Sequence, residues 1–490
     1  MRWTEGNGSA SFSDPREPTG SRRRFLGDFA SGLGGVATAW LLLRDGALAR
    51  DRANDPATGY VRHPARVRRV IQIFAAGGVS HVDTFDPKPE LARRNGQELT
   101  GKGKIDPFFG QPGRLLASPF PFRQRGESGL WVSDLLPHIA ECADDLCCIR
   151  SMVAKSSNHT PATFQMNTGF TMNGFPCLGA WLSYGLGTEN EDLPAFVVLP
   201  DPRGLPAGGS IHWTSGFLPA SHQGVAFRTT GGDVIPDLAT PAEVPAARRT
   251  ASMRFLEGMN RSYLDLHPGD SVLAARLRSY ELAARMQVTV PDAAGIDGES
   301  SATRKLYGLD APVTEAFGRA CLLARRLVER GVRFVQIWNG GAFGSPRINW
   351  DAHEDLVVNH TQQAAVMDRP VAGLLKDLKS RGLFEDTLVL WNTEFGRSPI
   401  TQGIGGKGRD HHQLAHTCWM AGAGVKAGTA YGSTDEVGYH VVENPVSVYD
   451  FHATVLHLLG IDHTQLTYYH NGINRRLTDV HGSVVRGVLA

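Results

Sequence analysis

Val332-Arg333-Phe334-Val335-Gln336-Ile337-Trp338 follows a run, Glu315 to Arg330, that reads as a helix, and a glycine, Gly331, that stops it. The same grammar recurs downstream: Thr361 to Arg381 reads as a helix, Gly382 as its stop, and Thr387-Leu388-Val389-Leu390-Trp391 as a strand. A helix closed by glycine and followed by a short β-branched and aromatic run is the signature of a βαβ unit. Neither strand alternates apolar with polar, as expected of parallel strands buried on both faces.

Working outward, Val70-Ile71-Gln72-Ile73-Phe74 before Ala75-Ala76-Gly77-Gly78 reads as a first central strand. Leu146 to Met152 is a second, approached through a helix over Ser133 to Cys142, and Pro194 to Leu199 and His416 to Ala421 are further short strands. Pro161 to Thr168 is expected to be helical because proline is favoured in the first turn, which sets Asn158, His159 and Thr160 at a helix N-terminus. Val446 to Leu459 is expected to be a C-terminal helix beginning near Ser447. The fold class implied is α/β, a doubly wound, mostly parallel sheet flanked by helices. Residues 67–490 form this domain, 50–66 are a linker, and 200–312 are an insertion or cap. Within that insertion, 200–250 are rich in Gly, Pro, Ser and Thr, 252–287 are helical in pattern and 288–312 return to loop character.

The 490 residues, 41% hydrophobic, carry 50 Lys+Arg against 49 Asp+Glu. That balance leaves no basic excess to spread over a phosphate backbone, so no nucleic-acid partner is expected. Ser21-Arg22-Arg23-Arg24-Phe25-Leu26 precedes an apolar segment, Gly27 to Leu43, broken by Gly32, Gly34 and Gly35. It resembles a twin-arginine signal peptide over residues 1–49, with Ala47-Leu48-Ala49 as the cleavage pattern. The apolar segment is shorter than the roughly 20 residues a spanning helix needs. The reading is therefore passage through the twin-arginine export machinery, no stable membrane span after cleavage, and a periplasmic or extracellular destination. The six cysteines show no CxxC spacing. Cys147 and Cys148, adjacent in a strand, are expected to point to opposite faces as small buried hydrophobes.

Five clusters carry the chemistry: Ser80-His81-x-Asp83, Asn158-His159-Thr160, Trp350-Asp351-x-His353, Asn392-x-Glu394-Phe395-Gly396-Arg397 and Gly408-Arg409-Asp410-His411-His412. Four of them each follow an apolar, strand-like run. In open α/β sheets, loops that follow different strands converge on the crevice outside their carboxyl ends. The candidate metal ligands are His81, Asp83, Asp351, His353, Glu394, His411 and His412. All offer oxygen or nitrogen, which suits one or two divalent ions, with the histidines favouring Zn or Mn. Arg397 and Arg409 are candidates to stabilise an ester oxyanion, His159 is a candidate ligand or general acid, and Thr160 a candidate nucleophile.

These motifs in this order, with Gly77 to Pro89 and Leu178 to Gly187, resemble the family called domain of unknown function 1501. The resemblance covers nearly the whole chain after the signal segment. It implies an alkaline-phosphatase-like, sulfatase-like architecture with a two-metal site, and with it a secreted metal-dependent hydrolase of phosphate or sulfate esters on small molecules or polysaccharides. Glu394-Phe395 stands where that superfamily has Asp-His, and no Cys-x-Pro-x-Arg or Cys-x-Ala-x-Arg sequence supports formylglycine chemistry. A second class stays open: a non-catalytic periplasmic binding or scaffold protein that retains the fold.

Overall fold

In the computed structural model, β1 (Arg69–Ala75) is hydrogen-bonded on both sides along its length. Such a strand has no edge and no solvated face, which is why its sequence after Arg69 is apolar apart from Gln72. The structure describes residues 60–490 apart from 106, 109, 237, 239–242, 268–270 and 342–346. The twin-arginine segment over 1–49 and most of the 50–66 linker therefore lie outside the described residues.

Around β1 the sheet is built from β2 (Leu146–Val153), β3 (Phe196–Leu199), β4 (Val225–Ala226), β5 (Phe334–Asn339), β6 (Thr387–Asn392), β9 (His416–Gly422), β10 (Thr429–Tyr431) and β11 (Val446–Ser447). The order is β10-β2-β9-β6-β1-β5-β3-β4, with β11 also on β2. The intervening β7 (Gly396–Gln402) and β8 (Arg409–His412) pair with each other in a separate small sheet. All pairs in the large sheet are parallel except those of β9, which runs antiparallel to both β2 and β6. The doubly wound, mostly parallel sheet expected from the sequence is the one found.

The alternation of strand residues divides the core between two faces. On β1, Ile71, Ile73 and Ala75 join one cluster, and Val70 and Phe74 join the other. Helices α5 (Pro312–Glu329) and α6 (Leu356–Ser380) cover the first face through Phe317, Leu322, Val371 and Leu375. Helices α2 (Leu178–Leu186) and α7 (Val448–Leu458) cover the second through Trp181, Leu182, Phe451 and Val455. Cys148 lies in the first cluster and Cys147 in the second, as the alternation predicts, and all six cysteines are buried free thiols.

Several boundaries differ from the sequence reading, each for a local reason. Helix α1 spans His159–Thr168, two residues earlier than expected, because Pro161 sits in a first turn whose N–H groups have no partner to lose. Helix α6 begins at Leu356 rather than Thr361, since the Asp355 side chain accepts the Val358 N–H and caps it there. The helix expected over Ser133 to Cys142 shrinks to Pro137–Ala140, with Ser133 closing a strand. In the 200–312 region, α3 (Ala246–Leu266) and α4 (Ser271–Ala294) form a helix pair, and Ser301–Leu306 is helical where loop was expected. Met286, Val290 and Ala293 of α4 pack into the core beside α5. A buried Arg325, paired with Glu299 at 2.6 Å and Asp377 at 2.9 Å, ties the segment after α4 to α5 and α6.

Candidate metal centre

The carboxyl end of β1 turns sharply at Gly77, whose φ of +118° and lack of a side chain let another loop lie against it. A Cβ there would meet the Trp350 and Asp351 backbone nitrogens at 2.5 and 2.6 Å. The Trp350 N–H donates to Ala76 O at 2.9 Å and its indole to Asn339 Oδ1 at 2.7 Å, so the loop after β5 is pinned to the end of β1. This fixes Asp351. The β8 chain then runs alongside the same loop, with Arg409 N–H donating to Ala352 O at 2.9 Å and Leu356 N–H to Lys407 O at 3.1 Å, which sets His411 beside His353. Because β9 is antiparallel, its first residue, His416, pairs with Met152 near the carboxyl end of β2. The chain entering β9 thus arrives at the edge where β1, β5 and β6 leave.

His159, Asp351, His353 and His411 converge there, with one potential ligand atom of each lying within 4.8 Å of all the others. Asp351 Oδ1 is 2.9 Å from His353 Nε2 and 3.3 Å from both His159 Nε2 and His411 Nε2. His353 Nε2 and His411 Nε2 are 2.8 Å apart. The other nitrogen of each ring faces an acceptor. His159 Nδ1 lies 2.6 Å from Glu394 Oε1, His411 Nδ1 lies 2.6 Å from Ser157 O, and His353 Nδ1 faces Gln402 Oε1. These acceptors assign the proton to Nδ1 in all three rings and leave a lone pair on each Nε2. Three lone pairs and a carboxylate oxygen aimed at one point repel one another unless a cation sits between them. The donor set and its outer ring of hydrogen bonds fit a Zn- or Mn-type ion. Among the described residues it is the one such group of three or more ligands.

The electrostatics follow from burial and two arginines. Burial alone would raise the Asp351 carboxyl, but Arg397 beside it, with the three imidazoles, holds it well below the usual carboxylate range. Burial and the Arg397 charge push the His411 imidazole down to about 2, so it stays neutral. His159 moves the other way: burial opposes its charge, yet Asp351 and Glu394 outweigh burial and raise it. Arg397, with no exposed side-chain surface, donates from Nη2 to Asp351 Oδ1 and Gly77 O at 2.5 Å, from Nε to Gly78 O at 2.8 Å and from Nη1 to Arg409 O at 3.1 Å.

The remaining candidates fall elsewhere. Asp83 forms a fully buried two-point ion pair with Arg409, Nε to Oδ2 at 2.7 Å and Nη2 to Oδ1 at 3.1 Å, and accepts the Ser80 hydroxyl. Arg409 spends its other donors on Pro399 O and Leu116 O, both at 3.0 Å. Neither residue is part of the converging group. The oxyanion role expected of Arg397 and Arg409 meets the same physical obstacle in both: their donors end on protein acceptors and no side-chain surface is exposed. His81 and His412 form a separate pair of buried rings, centroids 6.5 Å apart, bonded to Gly438 O and Tyr439 O. Glu394 sits behind His159, accepting also the Gly77 N–H at 2.9 Å. Thr160 follows His159 in the first turn of α1, half-buried.

Sequence reasoning missed three contributors. Gln402 and the Ser157 carbonyl orient rings from β7 and from the loop after β2, and neither carries a local signal. Arg347, four residues before Asp351, contacts Asp351 Oδ2 and grips Glu354 with Nε and Nη2 at 2.9 and 2.8 Å. Its spacing to Asp351 was the one legible clue.

The sequence profile of a family described as protein of unknown function, DUF1501, matches residues 67–489. No curated protein matches the sequence. Among solved structures the chain is similar to a sulfatase from Pseudoalteromonas sp., at 13% identity over 88% of this chain and 77% of that one, TM-score 0.33. It is similar also to a protein in the alkaline phosphatase superfamily from Vibrio parahaemolyticus, at 12% identity over 86% and 77%, TM-score 0.35. A phosphonate monoester hydrolase from Silicibacter pomeroyi matches at 12% identity over 66% and 68%, TM-score 0.31.

Proposed function

As the chain belongs to the DUF1501 family of proteins of unknown function, we propose its activity from its own site: a secreted metal-dependent hydrolase of phosphate or sulfate esters. The observation that carries this reading is the convergence of three Nε2 lone pairs and Asp351 Oδ1, with every Nδ1 tied to an acceptor. His159, Asp351, His353 and His411 would hold the cation, which supplies Lewis-acid polarisation of a phosphoryl or sulfuryl oxygen. Glu394 orients His159, Gln402 orients His353, and the Ser157 carbonyl orients His411. Arg397 fixes the Asp351 carboxylate and the Gly77–Gly78 turn. Arg409 and Asp83 brace the loop beneath. Thr160 is the hydroxyl to test as nucleophile, and T160A separates attack by its side chain from attack by water.

Elemental analysis of the full chain purified without chelator, beside H353A/H411A, tests the metal. A screen of aryl phosphates, phosphodiesters and aryl sulfates with added Zn or Mn tests the chemistry. Bound metal in the wild type, its loss in the double variant and metal-dependent turnover are expected. Metal without turnover on any ester would turn the reading to the non-catalytic binding or scaffold protein, which the full internal commitment of Arg397 and Arg409 favours. Export rests on the sequence of residues 21–49; a periplasmic product whose N-terminus lies near Arg50 is the expected result. Among the described residues no helix is long and apolar enough to cross a membrane.

A further inference from the structure

Two arginines hold the Asp351 carboxylate, and they differ in what else they can reach. Arg397 has no exposed side-chain surface, and its donors end on Gly77 O, Gly78 O, Arg409 O and Asp351 Oδ1. Arg347 keeps 27% of its side chain exposed. It contacts Asp351 Oδ2, whereas Arg397 and the three imidazoles meet Oδ1. Its guanidinium therefore stands one carboxylate's width from the point on which the ligand atoms converge. The loop that carries it is pinned. Gly341 N–H donates to Ile348 O at 3.2 Å, Asn349 Nδ2 to Gly341 O at 3.0 Å and Asn359 Nδ2 to Asn349 O at 2.9 Å. The fold thus sets the position of this charge before any ligand arrives.

The rest of the Arg347 fork is taken by an exposed anion. Nε donates to Glu354 Oε2 at 2.9 Å and Nη2 to Glu354 Oε1 at 2.8 Å. Arginine uses this same two-point geometry for the oxygens of a phosphate. The Glu354 side chain is 68% exposed, and exposed ion pairs contribute little net stability, because water readily replaces either partner. Resting on the ester-hydrolase reading, we infer that Arg347 is the group that binds the substrate's oxyanion, and that Glu354 fills its fork until an ester displaces it. Arg347 then carries the role that the sequence suggested for Arg397 and Arg409. The Arg347–Glu354 pair is neutral as it stands. Once Glu354 turns to solvent, Arg347 adds one positive charge beside the cation ligands, at the side where Asp351 Oδ2 faces away from them.

Calorimetric titration of inorganic phosphate into the full chain, loaded with Zn and freed of excess ion, reads this without turnover. R347A should bind phosphate about 10–100-fold more weakly, the loss expected for hydrogen bonds to a charged group. E354Q should bind it about three- to tenfold more tightly, because the competing carboxylate is gone while the shape remains; misfolding does not give such a gain. In R347A/E354Q the gain should shrink to within about twofold, the share left to direct repulsion by an exposed charge. R347A that matches wild type within about twofold at equal Zn content would overturn the proposal, as would an E354Q gain that persists undiminished without Arg347. Zn-loaded wild type that takes no phosphate would also overturn it and leave the metal centre standing. A chain that takes up no Zn fails the hydrolase reading first, at the elemental analysis, and this proposal with it.

Discussion

Replacing Glu394 with glutamine should weaken Zn or Mn binding without unfolding the site. Glu394 is 1% exposed. Its Oε1 accepts the His159 Nδ1–H at 2.6 Å and the Gly77 N–H at 2.9 Å, while Oε2 lies 3.2 Å from the Thr393 hydroxyl. Glutamine keeps the carbonyl oxygen for His159 and Gly77 and turns its NH2 to Thr393 Oγ, so the shape survives. The charge behind the imidazole does not. A hydrogen bond to an ionised acceptor is about twice as strong as a neutral one, and removing such an outer partner of a ligating histidine costs about 10–100-fold in metal affinity. That is about 1.4–2.7 kcal/mol, and the short, buried contact places E394Q in the upper half. Chelator competition at fixed pH and ionic strength measures it, with the melting temperature of the metal-free variant as the control for folding. An affinity within twofold of wild type, in a variant that melts normally, would mean that His159 does not present Nε2 to a metal, and the proposed ligand set would fail.

H353A/H411A should lose metal altogether while keeping its circular dichroism spectrum, because the two rings stand at a loop and on β8 rather than in the main sheet. R409A should cost about 3–5 kcal/mol in urea unfolding, since it strands the buried Asp83 charge. Burial alone would raise the Asp83 carboxyl, but Arg409 holds it below the usual range; its ionised form thus stabilises the fold above about pH 4 and that contribution is lost as pH falls further. D83N/R409M should accordingly unfold with a shallower acid dependence than wild type. R325A should cost about 3 kcal/mol by the same stranded-charge argument, read from thermal or denaturant unfolding. G77A should cost about 2 kcal/mol or more, because it combines a left-handed backbone with a 2.5 Å approach to Trp350 N.

The strands β1, β5 and β6 were legible because burial on both faces writes a mostly apolar run, interrupted in β1 by Gln72 and in β5 by Gln336. The direction of β9 was not, since His416 to Ala421 reads the same whether it runs with its neighbours or against them. That direction is what brings His411 to the ligand edge. Neighbours in a strand point to opposite faces, so His411 and His412 had to part company; only the β7 pairing, which sets His411 opposite Arg397 and His412 opposite Gly396, selects which one enters the cluster. His159, His353 and Asp351 were readable as polar residues beyond apolar runs. Asp83 and Arg409 were readable as chemistry but not as each other's partner, because a contact between positions 326 apart leaves no local mark.

The same ion pair bears on how many cations the proposed site would take. The resemblance implied two, whereas the converging donors among the described residues form a single group. Asp351 and Glu394 bring two negative charges and Arg397 one positive charge, and the three imidazoles, each giving a lone pair to the cation, would bring none. One dication leaves a single positive charge, which an anionic ester would neutralise. A second dication would leave three, and the carboxylate that sequence placed nearest to offset it, Asp83, is already spent on Arg409 at 2.7 Å. The first ion is compensated by two carboxylates; a second would have none left to offset it. Elemental analysis should therefore return one metal per chain. Two equivalents, both lost in H353A/H411A, would show that Asp83 leaves Arg409 when metal binds and would refute this charge argument.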